Sequence, residues 1–162
     1  MKTLIDSVRQ NHALEHATMN ILNRRHPYLR LMGRSALSGF YLYGVVDTQE
    51  LANAVSEALV RLQQGETHLA IHPRCGTNLA VTSVLAGAAA FGTTLGRPRS
   101  RFERLPWALI AATLAAILAQ PLAYKIQEQV TTNPKVEGLY ISEICRQEKG
   151  RVVIHKVTVG RQ

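Results

Sequence analysis

The stretch His12-Ala13-Leu14-Glu15-His16 places two imidazoles and a carboxylate within five positions. Imidazoles at i and i+4 of a helix sit one turn apart on one face, so both can reach a single zinc ion. A glutamate on that face can take the proton of a zinc-bound water, and the metal polarises the carbonyl that the water attacks. The chemistry expected of such a set is hydrolysis of a peptide or ester bond, with Glu15 as general base and His12 and His16 as ligands. A further ligand is needed. Three protein ligands with an open fourth position make a catalytic centre, and four make a closed, structural one.

The segment Ile71-His72-Pro73-Arg74-Cys75 offers that ligand twice. His72 with water in the fourth place gives an open site, and His72 with Cys75 gives a closed one. His68, Glu143 and His155 are the other candidates, each on a stretch that reads as strand. Glu143 aligns with Ile141 and Cys145 on a face expected to be at least partly buried. His-x-x-Glu-His also resembles, letter for letter, the motif of the inverted zincin peptidases. Those peptidases take their third ligand from a distant downstream glutamate. The comparable stretch here is apolar and holds no acid, so the third ligand is sought locally.

The elements that carry these residues are read from periodicity. Residues 2–24 form a helix on which Ile5, Val8, His12, Glu15, His16 and Met19 fall within about 100° of arc. Leu14, Ala17 and Ile21 form a strip opposite, so the helix is expected to be buried on both sides, and Pro27 disfavours its continuation. Residues 39–46, GFYLYGVV, read as a strand. Asp47, three before Glu50, opens a helix with the stripe Leu51, Val55, Leu59 and Leu62, and Gly65 stops it. Residues 67–73, THLAIHP, read as a short strand with His68 and His72 on one face. After residue 124 the chain prolongs a helix and breaks at Pro134. It then forms two antiparallel strands around a turn at Lys149-Gly150.

Residues 79–96 and 107–124 are each 18 positions without a charge. A membrane span takes about 20 apolar residues, with a lower limit near 17. Between them residues 97–106, RPRSRFERLP, carry four arginines and one acid and cannot enter a bilayer. Trp107 and Tyr124 bracket the second segment as interfacial aromatics do. Ala88, Gly92 and Gly96 recur every four residues and give a smooth face through which a second copy can pack. The expected architecture is therefore α+β. Residues 1–77 and 125–162 make one small domain at the membrane surface, with its sheet drawn from both sides of an inserted transmembrane hairpin, residues 78–124.

A chain of 162 residues suits one domain, or one with an appendage, and can bury a core without staples. The net charge of +8 is spread along it: eight Lys/Arg against six acids in 1–77, four against one in 97–106, seven against four in 125–162. No block makes a basic arm, so no nucleic acid is expected as a partner. Arginines beside apolar segments suit phospholipid headgroups. Cys75 and Cys145 read as unrelated reduced thiols. The first residues lack the apolar core of a signal peptide. The four arginines of the loop are matched by Arg61, Arg74, Lys125 and Lys135 near the outer ends, which decides no orientation. The soluble parts are expected on the cytoplasmic side.

Four stretches, NHALEHATMNIL, GRSALSGFYLYG, GETHLAIHPRCGTNLA and VTTNPKVEGLYI, together resemble a family of small bacterial membrane proteins of unknown function. The resemblance covers most of the chain and implies the architecture. It brings no activity, substrate or cofactor. The residues themselves point to a membrane-anchored zinc hydrolase, most simply a peptidase acting on a peptide or protein. The alternative is a non-catalytic accessory or assembly protein whose His/Cys cluster holds a structural metal or bonds internally. A metal or haem handler, resting on the His and Cys residues and Met19, ranks third.

Overall fold

Helix α1, Leu4–Arg25, begins on a reciprocal cap in which Thr3 accepts from the Asp6 amide and the Asp6 carboxylate accepts from the Thr3 amide. It ends at His26, one residue before Pro27. From Gln10 to Met19 every residue is buried except His12, which is half-buried. Leu14, Ala17 and Ile21 are buried as their strip predicts, whereas Ile5 is exposed, so the strip that carries His12 and His16 is covered only past the first turn. The computed structural model describes residues 3–95, 101–150 and 152–162, with backbone only at residues 101 and 102.

The chain divides into two units, Met1–His72 with Glu128–Gln162, and Pro73–Gln127. In the first, α1 packs on strands β1, Met32–Ala36, and β2, Gly39–Tyr43, and on helix α2, Thr48–Gln63. A single 3-10 turn, Thr67–Ala70, follows. Strands β3, Leu139–Lys149, and β4, Val152–Arg161, complete an antiparallel sheet of order β1-β2-β4-β3. The pairing of β2 with β4, Phe40 opposite Val157 and Leu42 opposite His155, joins chain from before and after the second unit, as expected. Gly39, at φ 144°, permits this contact, because a Cβ there would overlap the Val157 carbonyl. Asp47 caps α2 by accepting from the Glu50 amide at 3.0 Å. Leu51, Val55, Leu59 and Leu62 are all buried against the core that also holds Leu14, Leu22 and Phe40.

Two expectations fail here for tertiary reasons, and one strand goes unannounced. Residues 32–36, Met-Gly-Arg-Ser-Ala, hold no β-branched or aromatic residue, and pairing with β2 makes them strand β1. Residues 67–73 are not a strand. Asn20 Nδ2 donates to the carbonyls of Leu69 and Ile71, and His16 Nδ1 bonds that of Ala70. Those carbonyls are taken by α1 and not by a ladder, so His68 is exposed while His72 is buried, and they do not share a face. In β3 a bulge sets Ile141 opposite Val159 and Glu143 opposite Thr158. The extra residue, Ser142, reverses the alternation beyond it. Ile144 turns toward the core, and Glu143 is exposed instead of partly buried.

In the second unit helix α3, Gly76–Gly92, packs against helix α4, Arg101–Ile126, which runs on through a π-helical turn, Gln127–Thr131. Helix α4 starts inside the stretch read as loop to residue 106; residues 97–100 and Gly96 lie outside the described residues. Its half-buried line is alanine, at 108, 111, 112, 115 and 116, while Leu109, Ile110, Leu114, Ile117 and Leu118 are exposed. Among the described residues α4 with its extension, Glu103–Thr131, is long and apolar enough to cross a membrane. Helix α3, at 17 residues, is shorter. At 1.5 Å per residue it spans about 26 Å, against a hydrocarbon layer of about 30 Å. The expected pair of spans is thus met in full by one helix. Ala88 and Gly92 are exposed, and a Cβ on Gly92 would meet nothing within 4 Å, so the small-residue face is not used within the unit.

Candidate metal centre

The polar side chains of α1 bond the main chain around them. Gln10 donates to Lys135 O at 2.6 Å, Asn11 to Ala36 O at 2.7 Å, and Arg9 to Gln129 O at 2.8 Å. Buried carbonyls of irregular segments need such donors. His12 and His16 belong to this series: His12 Nδ1 lies 2.9 Å from Thr131 O, and His16 Nδ1 lies 2.7 Å from Ala70 O. A carbonyl only accepts, so each Nδ1 carries the proton. In the neutral ring Nε2 then holds the lone pair, the arrangement in which metal-ligating histidines are fixed by their outer hydrogen bond. The two rings lie with centroids 4.2 Å apart and planes tilted by 58°.

His72 joins them in the first unit. Its ring is buried, with its centroid 5.7 Å from that of His16. Asn23 Nδ2 donates to His72 Nε2 at 3.4 Å, which leaves the proton on the other nitrogen in the neutral ring. His16 is thus the middle of a three-imidazole group. Two members come from one turn of α1, and the third is delivered by the 3-10 turn that α1 anchors. Cys75 belongs to the second unit, where its thiol is buried and caps α3 by accepting from the Thr77 amide at 3.4 Å. Cys75 and Cys145 are both reduced, and the Glu143 carboxylate, with burial, pushes the Cys145 thiol up from its ordinary pKa.

Glu15 stands on the part of α1 that meets β1. Its carboxylate is buried against β1, where Oε2 accepts from the Ser35 hydroxyl. A Cβ on Gly33 would overlap Oε1. The strand that the sequence hid is therefore the one that holds the candidate base, and its two small residues make the room. Gly33→Ala is expected to destabilise the protein by about 1–3 kcal/mol through overpacking, read as a lowered thermal midpoint. Combined with Glu15→Ala the loss should be less than additive. A melt equal to wild type, or additive effects, would show that the two residues do not share this space.

The remaining candidates are occupied elsewhere. His68 is exposed, 3.9 Å from the Glu66 carboxylate. His155 is fully buried, with Nε2 3.0 Å from the Thr48 hydroxyl, and its Nδ1 has no hydrogen-bond partner among the described residues. Burial, with Arg146 opposite on β3, holds its pKa below the usual histidine value, against a smaller opposing pull from Asp47. Sequence reasoning missed Gly33, Ser35, Asn20 and Asn23. A signal for the last two exists: they follow His16 at i+4 and i+7, continuing its face as amides.

A family described as a domain of unknown function (DUF6391) matches residues 7–144, which include all four stretches that carried the resemblance. An uncharacterized protein of Picosynechococcus sp. is 42% identical over 134 residues, covering 77% of this chain. The match takes in 65% of that relative's own length, so about a third of it has no counterpart in the alignment. No solved structure matches the chain.

Proposed function

We propose that this chain, which belongs to the DUF6391 family, is a membrane-anchored zinc-dependent hydrolase, most simply a peptidase. One observation carries the reading: His12 and His16, one turn apart, each donate Nδ1 to a main-chain carbonyl and so present Nε2 as the ligating nitrogen. His72 beside His16 supplies the third ligand, with the metal taking the Nε2 lone pair in place of the long 3.4 Å bond from Asn23. Cys75 follows three residues later, a reach of at most about 11 Å along the chain, and closes the site if it binds as well. A nitrogen and sulfur donor set suits zinc. Zinc held there supplies a Lewis acid for the scissile carbonyl. Glu15 takes a proton from the attacking water and returns it to the leaving amine. The hairpin 78–124 anchors the domain as a two-pass insertion, with residues 1–77 and 125–162 on the cytoplasmic side, and the Ala88/Gly92 face accepts a second copy.

A second reading has its own observation. Gln10, Asn11 and Asn20 hold carbonyls of neighbouring segments as His12 and His16 do. In a non-catalytic accessory protein the histidines are two more such clamps, with or without a structural metal. Glu15→Gln separates the readings, because the amide keeps an oxygen for Ser35 but cannot take a proton. With casein as substrate, the variant is expected to keep its zinc and lose about 10²–10⁴-fold in turnover. Equal turnover in both proteins, or none in the zinc-loaded wild type, would exclude the hydrolase and leave the accessory reading.

A further inference from the structure

The second unit contains a cleft of about 420 Å³ between the first turns of α3 and the last turns of α4. Cys75 and Ala123, both buried, form its floor. Arg74, Asn78, Leu79 and Tyr124 stand around it. Three features define what would fit. The lining includes the cationic residue Arg74 and, among the described residues, no acidic one, so it suits an anion better than a cation. Leu79 is 71% exposed and leads from the cleft onto the outward apolar surface of the helices, so the occupant has an apolar part. Thr82 and Gln120, polar residues within otherwise apolar helices, both face the cleft. Polar side chains in membrane helices are costly facing lipid tails and are placed at cavities.

We propose that this cleft binds one anionic phospholipid. The headgroup phosphate lies on Arg74 and Asn78, and an acyl chain leaves over Leu79 and Tyr124 along the hairpin. Tyr124 and Lys125 put this end of α4 at headgroup depth, where an aromatic and a cation belong. The proposal rests on the membrane reading of the hairpin and not on the metal centre.

The test is native mass spectrometry of the full chain in micelles doped equally with phosphatidylglycerol and phosphatidylcholine. The wild type is expected to retain one phosphatidylglycerol per chain with a preference of about fivefold, the effect of one basic residue at an anionic surface. Arg74→Gln should bring the ratio near one. Ala123→Leu, which fills the floor without changing charge, should lower retention of phosphatidylglycerol about as much. Arg104→Gln, near the other end of α4, should leave the preference intact. Equal retention of the two lipids by the wild type, or a preference untouched by both cleft variants, would overturn the site. Loss in Arg104→Gln to the same degree would overturn it in favour of general surface charge. Flotation with phosphatidylcholine vesicles runs in parallel. A chain that stays out of them removes the membrane reading and the lipid with it, whereas insertion without lipid preference removes the lipid site alone.

Discussion

Purified without chelators, the protein is expected to carry one zinc ion per chain, and His16→Ala is expected to carry none. His16 is the variant of choice because it neighbours both of the other imidazoles, that of His12 at 4.2 Å and that of His72 at 5.7 Å between ring centroids. Loss of an outer-sphere partner alone costs about 10–100-fold in metal affinity, and loss of the ligand itself should exceed that. Alanine also removes the donor to Ala70 O, and leaving a buried carbonyl unbonded costs about 1–3 kcal/mol. A falling zinc content could then report a loosened 3-10 turn and a displaced His72. His16→Gln resolves this, since its amide can still donate to that carbonyl. Zinc should be lost from both variants, with the thermal midpoint restored toward wild type in the glutamine form. Cys75→Ser decides the geometry. Retained zinc means an open site of three ligands, and zinc lost with the fold intact means a closed one. Wild-type protein free of metal, or zinc unchanged in both His16 variants, would remove the centre and leave α1 as a helix that clamps loops.

The legibility of the site follows the range of the interactions that build it. The helix bearing His12 and His16, and α2 with its cap at Asp47, are local features, set by side chains three or four residues apart. The β3–β4 hairpin is nearly as local, because Gly150 at φ 64° supplies the turn. What the sequence hid depends on partners far along the chain. Strand β1 exists through β2 and is shaped by the Glu15 carboxylate, which needs Gly33 and Ser35. The 3-10 turn before His72 forms because α1, some 50 residues earlier, binds its carbonyls. A wheel assigns side chains to faces but not to partners. It therefore groups Glu15 with the histidines but does not show the Ser35 hydroxyl that its carboxylate meets.

Leu114→Arg is expected to abolish stable membrane insertion of the chain while leaving the first unit folded. Leu114 lies near the middle of the uncharged run 107–124 and is 55% exposed, so the substitution removes little internal packing. Its neighbours Ile110, Ile117 and Leu118 are exposed as well. A pair of helices with alanine inside and large aliphatics outside has the polarity of a lipid-facing element, since soluble proteins rarely expose contiguous apolar patches beyond a few hundred Å². On the insertion scale the change from leucine to arginine at a helix centre costs roughly 3 kcal/mol, or about a hundredfold in partitioning. The measurement is the fraction of full-length chain that resists alkaline carbonate extraction. Glu128→Arg serves as the control, because it changes charge in the π-helical turn beyond the apolar run. Wild type and Glu128→Arg should stay with the membrane and Leu114→Arg should be extracted, its first unit still resisting protease. If carbonate releases the wild type completely, the exposed aliphatics are covered by protein, and the metal centre would then work in a soluble assembly. If Leu114→Arg remains embedded, residues 107–124 do not carry the anchor.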